Sequence, residues 1–133
     1  MKTFVPDASI ILKWVIGEEG SGEAQAILEG WLGQEHEFIL PSLWKFEVGN
    51  VLGLKRPKDA ATILSLLSDY AFPECELTKP LITSTFTIMN DCRGVTFYDA
   101  VYHAVAINQH GDMLTADKAY YEKAKKLGGI RLL

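Results

Sequence analysis

The sequence predicts an α/β fold in three layers, with a mostly parallel central sheet of four or five strands between helices. Three observations carry this. Short apolar runs alternate with helical patterns along the whole chain, which is the order that builds parallel sheets through right-handed crossovers. The chain has 133 residues, 48% of them hydrophobic and 23% charged, enough for one domain, 1–133, with a real core. No repeat, low-complexity tract or linker divides it.

The first strand is 3–6 (TFVP), and further strands are expected at 37–40, 75–77, 112–115 and 129–132. Pro6 cannot donate to a ladder, so it must close the first strand or sit at a bulge. Helices are expected at 8–16, 22–32, 42–55, 58–70, 79–91, 96–109 and 117–127. Pro41-Ser42 reads as a cap signal for the third of these. Residues 8–16 are apolar almost all round, with Lys13 the exception, so that helix is either fully buried or leaves a patch for a partner. Trp14, Trp31 and Trp44 read as core, with one or two of them able to line a groove for a partner helix. Glu18, Glu19, Glu23, Glu29, Glu35 and Glu37 read as a solvated helical face.

No apolar run approaches the roughly 20 residues that span a bilayer, and Pro6 and Asp7 interrupt any signal-peptide layout. Cys75 and Cys92, the only cysteines, form no CxxC pair. That fits a cytoplasmic protein and argues against a thiolate zinc site. Net charge is −4, a poor footprint for a nucleic-acid binder unless the acids are concentrated where a cation offsets them.

Four acids stand among apolar neighbours. Asp7 follows the first strand, and Asp117 follows strand 112–115. Asp99 opens the helix TFYDAVYHAVAI, and Glu47 lies in SLWKFEVGNVLGL. Capping explains three of them in part. Asp7 or Ser9 can cap the first helix, Thr96 and Asp99 match a capping box, and Asp117 can cap the last helix. Glu47 is mid-helix and has no such role. In a sheet of this kind ligands bind beyond the carboxyl ends of the strands, and there the four carboxylates would meet. Converging carboxylates raise one another's pKa values. A hard cation such as Mg2+ or Mn2+ relieves that cost.

In order along the chain, Asp7-Ala8-Ser9, Glu47-Val48-Gly49-Asn50, Thr96-Phe97-Tyr98-Asp99-Ala100 and Thr115-Ala116-Asp117 resemble the D-x-S, E-x-x-N, T-x-Y-D-A and T-x-D motifs of the PIN-domain ribonucleases, and in particular of VapC-type toxins. The resemblance runs from the first strand to the final GIRLL. It implies a PIN-like fold in which Asp7, Glu47, Asp99 and Asp117 hold one or two Mg2+ or Mn2+ ions. It implies hydrolysis of RNA phosphodiesters, tRNA among the targets, leaving a 5′-phosphate and a 3′-hydroxyl. Ser9, Asn50 and Thr115 would orient the carboxylates or water. An antitoxin protein and a homodimer are the partners it implies.

Lys13, Lys45 and Arg93, with Lys55, Arg56 and Lys58, are the basic residues available for phosphate contacts; charged helix ends are more often simply solvated. His103, one turn after Asp99, reads as a partly buried helix residue that the chemistry does not need. The alternative is a PIN-like module that binds RNA or protein without cutting, against which the intact acidic quartet argues. A phosphatase or receiver-like domain would also place an Asp after the first strand. A receiver, however, wants paired acids there and a lysine after a late strand, and Lys118 directly follows Asp117. DNA stays open as a substrate.

Overall fold

In a computed structural model, which describes residues 1–17 and 20–133, strands and helices alternate as the sequence predicts. The strands are β1 (Thr3–Pro6), β2 (Glu37–Phe38), β3 (Leu40–Pro41), β4 (Glu74–Cys75), β5 (Asp112–Thr115) and β6 (Ile130–Leu132). The helices are α1 (Ala8–Ile16), α2 (Ser21–Leu32), α3 (Trp44–Lys55), α4 (Ala60–Asp69), α5 (Lys79–Asp91), α6 (Phe97–Asn108) and α7 (Lys118–Ala124), the last continued by a 3-10 turn over Lys125–Leu127. Glu18 and Glu19 lie outside the described residues; Glu23, Glu29, Glu35 and Glu37 are exposed.

All pairings are parallel. The main sheet runs β2-β1-β5-β6, and β3 pairs with β4 in a two-stranded sheet. From β1 the chain steps to β2 on one side, while β5 and β6 extend on the other. Right-handed crossovers therefore put α1 and α2 on one face and α7 on the opposite face. The order reverses at β1, so the crevice beyond the ends of β1 and β5 is where such a sheet binds ligands. β1 and β5 are apolar and buried through Phe4, Val5, Met113 and Leu114, as central parallel strands require.

The strand expected at 37–40 is two strands, and Pro6 accounts for the break. Ile39 N–H donates to the Phe4 carbonyl, whereas Asp7 N–H donates to Leu114 on the other side. By alternation Pro6 faces β2 and has no N–H to give there. The chain then leaves β1: Leu40 N–H donates to Pro73 and Ser42 N–H to Cys75. This pairing also draws the fourth strand one residue earlier than the expected 75–77. It corrects the expected helix start as well. Ser42 is engaged with β4, and α3 begins at Trp44 without a side-chain cap.

Ile10, Ile11 and Leu12 of α1 are buried, while Trp14, Val15 and Ile16 are half-buried. Trp44 is fully buried, its indole N–H donating to Glu74 at 2.6 Å. Trp14 donates to the Ala24 carbonyl at 2.8 Å and stacks on Phe38. Trp31 stacks on Phe38 at 5.4 Å and borders a groove of about 460 Å3 with Met1, His36 and Pro73, at the strands' amino ends. That groove is on the rim opposite Asp7. His103 is fully buried rather than partly so, between the Tyr120 hydroxyl and the Gly128 carbonyl at 2.8 and 2.7 Å.

Gly111 sets the register of β5 on β1. A Cβ there would lie 2.3 Å from the Thr3 carbonyl oxygen, a backbone atom that cannot swing aside. Gly111→Ala is expected to lower the unfolding free energy by about 2 kcal/mol, read by urea denaturation. An unchanged midpoint would mean that β1 and β5 slide apart freely.

Candidate functional site

The site is built on the carboxyl ends of β1 and β5. Because Asp7 N–H donates to Leu114, Asp7 stands level with Thr115 on the neighbouring strand. The Thr115 hydroxyl donates to Asp7 Oδ2 at 2.6 Å, and the Ser9 hydroxyl donates to Oδ1. Ile10 N–H adds a bond to Oδ1 at 3.3 Å, so Asp7 also caps α1. Each hydroxyl in turn accepts a backbone N–H from the segment after β5: Ala116 to Ser9 at 2.9 Å, and Asp117 to Thr115 at 3.1 Å. Ser9 and Thr115 thus tie the Asp117 turn to Asp7.

Asp7 is only 4% exposed. Burial pushes its carboxyl up to about 7, against the pull of Ser9, Thr115 and Ile10, and the charge on Asp99 pushes the same way. Because α3 begins at Trp44, Glu47 lies in its first turn rather than mid-helix as expected; it is half-buried and accepts the Tyr102 hydroxyl at 2.8 Å. Burial raises its pKa, Tyr102 offsets part of the rise, and Asp99 again adds to it. Asp99, in the first turn of α6, is itself raised by burial and then by Asp117, with Thr96 acting in the opposite sense. The Thr96 hydroxyl accepts the Asp99 N–H at 3.1 Å, the cap the spacing predicts. Asp117 caps α7, accepting Tyr120 N–H at 3.0 Å.

The four acids therefore share one field, with Asp99 at its hub. No basic side chain among the described residues offsets any of these raised pKa values. Two hollows open on the cluster. Asp99 and Asp117 line one of about 110 Å3 with Gly94, Thr96, Tyr120 and Lys123. Glu47 and Asn50 line the other, about 400 Å3, with Phe46, Val51 and Tyr98. Asn50 is exposed at that wall.

Among the described residues, no three His, Cys, Asp or Glu side chains form a ready ligand set for one ion. The donor chemistry nonetheless fits Mg2+ or Mn2+, since every candidate donor is a hard oxygen. Mg2+ typically takes one or two carboxylates, keeps several waters and completes its shell with substrate phosphate, so it needs no closed protein cage.

None of the basic residues picked from sequence lines either hollow. Lys13 Nζ lies against Gly20, and Lys45 sits between Glu74 at 3.9 Å and the Trp44 ring. Arg56 pairs with Asp59 at 3.3 Å, and Arg93 is exposed beside Gly94. Tyr102 was legible only as a helix aromatic. Its position three residues after Asp99, on the same face of α6, is the signal that could have marked it. Tyr102→Phe is expected to lower the unfolding free energy by about 1 kcal/mol by leaving Glu47 without its donor, read by urea denaturation. An unchanged midpoint would show that Glu47 needs no phenol to hold it.

A family model for the PIN domain matches residues 4–126. No curated protein sequence matches the chain. Solved structures match over nearly its whole length. The toxin–antitoxin complex from Klebsiella pneumoniae has a chain 17% identical, covering 98% of this chain and 96% of its own, with a TM-score of 0.69. VapBC2 from Rickettsia felis, solved bound to a DNA fragment from its promoter, is 9% identical, covers 98% and 97%, and has a TM-score of 0.70. VapC20 of Mycobacterium tuberculosis, a sarcin–ricin-loop-cleaving toxin, is 16% identical, covers 83% and 86%, and has a TM-score of 0.64. At these identities the likeness is one of fold.

Proposed function

The chain belongs to the PIN-domain family, and from that premise we propose that it is a Mg2+- or Mn2+-dependent endoribonuclease, the toxin of a toxin–antitoxin pair. The observation that carries the reading is the cluster of Asp7, Glu47, Asp99 and Asp117 at one rim, in which burial first and a neighbouring carboxylate second raise Asp7, Glu47 and Asp99, and no base offsets the rise. An RNA substrate is favoured by the sarcin–ricin-loop-cleaving toxin among the structural neighbours, with tRNA a further target to examine. An antitoxin partner is favoured by the Klebsiella complex. Homodimerisation and a cytoplasmic setting belong to the same reading; among the described residues no helix is long and apolar enough to cross a membrane.

Asp99, with Glu47, Asp117 and Asp7 around it, would hold one or two ions. A bound ion supplies positive charge for the phosphoryl oxygens and lowers the pKa of water. The protein does the positioning. Ser9 and Thr115 fix both oxygens of Asp7, Tyr102 fixes Glu47, and the α7 amide at Tyr120 fixes Asp117. Asn50, at the wall of the larger hollow, would orient water or a nucleotide.

The test is to incubate the partner-free protein with total RNA and Mn2+ and to map new 5′ ends, with EDTA and Asp99→Asn as controls. Discrete ends lost in both controls are expected. Ends that persist with Asp99→Asn would sink the acidic mechanism. No ends from any RNA pool would favour a non-cutting PIN module.

A further inference from the structure

We infer that Lys123 receives the RNA phosphate at the acidic site, an inference that rests on the nuclease reading above. A cluster of four carboxylates repels a polyanion, and bound cations answer only part of that charge. A strand entering the site needs a positive group beside the acids, and phosphate contacts fix where a backbone lies. Among the described residues, Lys123 is the one basic side chain that lines either hollow, opposite Asp99 and Asp117. None of the basic residues picked from sequence lines them.

The surrounding structure presents this lysine. Tyr120, one turn before it on α7, is buried and bonded to His103. Gly128 offers only a carbonyl, so His103 Nε2 must carry the proton given to it, and Nδ1 is left to accept the Tyr120 hydroxyl. That fixed pair pins the inner face of α7 and turns Lys123 toward Gly94. A Cβ at Gly94 would lie 3.2 Å from Lys123 Nζ, and Gly94 holds φ of +84°, where side chains are disfavoured. The glycine leaves the ammonium its place at the lip of the hollow. Of the other lysines nearby, Lys125 is engaged with Glu122 at 2.8 Å and Lys126 with the Asp91 carbonyl at 3.0 Å, while Lys118 lines neither hollow. Lys123 has no ion pair to an acid among the described residues, although two acids line its own hollow.

The experiment compares wild type, Lys123→Met and Lys123→Arg on a labelled single-stranded RNA carrying a mapped cleavage site, in Mn2+ and across a salt series. Lys123→Met is expected to raise KM about tenfold, the weight of one charge-assisted bond. It should also flatten the slope of log kcat/KM against log salt by about one. Thermal stability should stay unchanged, and Lys123→Arg should recover most of the affinity. An unchanged KM and salt slope in Lys123→Met would overturn the inference while leaving the nuclease reading standing. If the mapping yields no cleavage site in any RNA, the nuclease reading fails, and a labelled single-stranded RNA is titrated by anisotropy in Mn2+ instead. Binding weakened about tenfold by Lys123→Met would then uphold the phosphate contact, and equal binding would overturn it.

Discussion

Asp99→Asn is expected to abolish cleavage and, in the same protein, to raise the stability of the metal-free fold. Both follow from Asp99 being the acid whose charge reaches Asp7 and Glu47 and which itself feels Asp117. Asparagine keeps the shape and the backbone bond to Thr96 but removes the charge at the centre of the cluster. Loss of that carboxylate should cost at least about 1,000-fold in single-turnover rate, equivalent to several kcal/mol of transition-state stabilisation. With EDTA present the same change relieves like-charge repulsion, and the melting temperature should rise by a few degrees at most. Adding Mn2+ should then stabilise wild type by mass action and leave the variant nearly unmoved. Melts with and without Mn2+ separate these effects. A variant that melts lower than wild type in EDTA would mean that Asp99 is held by a favourable contact rather than opposed by its neighbours. A variant that still gains stability from Mn2+ would place the cation elsewhere.

The sequence carries the acids well because two constraints fall on the same residues. Asp7 and Asp117 sit where a parallel sheet opens its ligand crevice and also where a helix needs an N-cap, and each caps its helix from that position. Capping and a site role are compatible at these positions. What sequence could not give is non-local pairing. The break between β2 and β3 follows from Pro6 facing a strand more than thirty residues away, not from the residues at the break. Ser42 looks like a cap by type but is claimed by Cys75 of β4. Tyr102 finds Glu47 across 55 residues, and His103 finds Gly128 across 25. In each case the local propensity was sound and a partner from another element overrode it. The basic residues show the same limit. Charge on a helix can be read from sequence, but the hollow it borders depends on how α7 is pinned, and Lys123 emerges only then.

The burial of Asp7 has a consequence for pH that runs against the usual carboxylate pattern. A paired surface aspartate has a lowered folded pKa and stabilises a protein as pH rises. Asp7 has a folded pKa raised from 3.8 to about 7, so the folded state holds a proton that the unfolded chain releases near pH 4. Its contribution to stability is full below the unfolded value and is lost as pH climbs through about 7. For a group this buried, the rise corresponds to about 4 kcal/mol between the two limits. Glu47 and Asp99 are raised as well and steepen the same trend. His103 opposes it, because a buried neutral imidazole disfavours protonation and so adds stability as pH rises toward its ordinary value. The Asp7 share is isolated by comparison with Asp7→Asn, whose amide oxygen can still accept from Ser9 and Ile10 while its NH2 donates to Thr115. Urea unfolding in EDTA from pH 5 to 8 should show wild type losing stability relative to Asp7→Asn by about 3 kcal/mol, most of it between pH 5 and 7, with the curve flattening above 7. A constant difference across that range would mean that Asp7 is charged throughout, and that Ser9 and Thr115 alone stabilise the anion. With Mn2+ present the sign should reverse for wild type. Cation binding favours the ionised carboxylate and displaces the proton, so the stabilisation by metal should grow as pH rises through 7. Asp7→Asn should lose most of that growth.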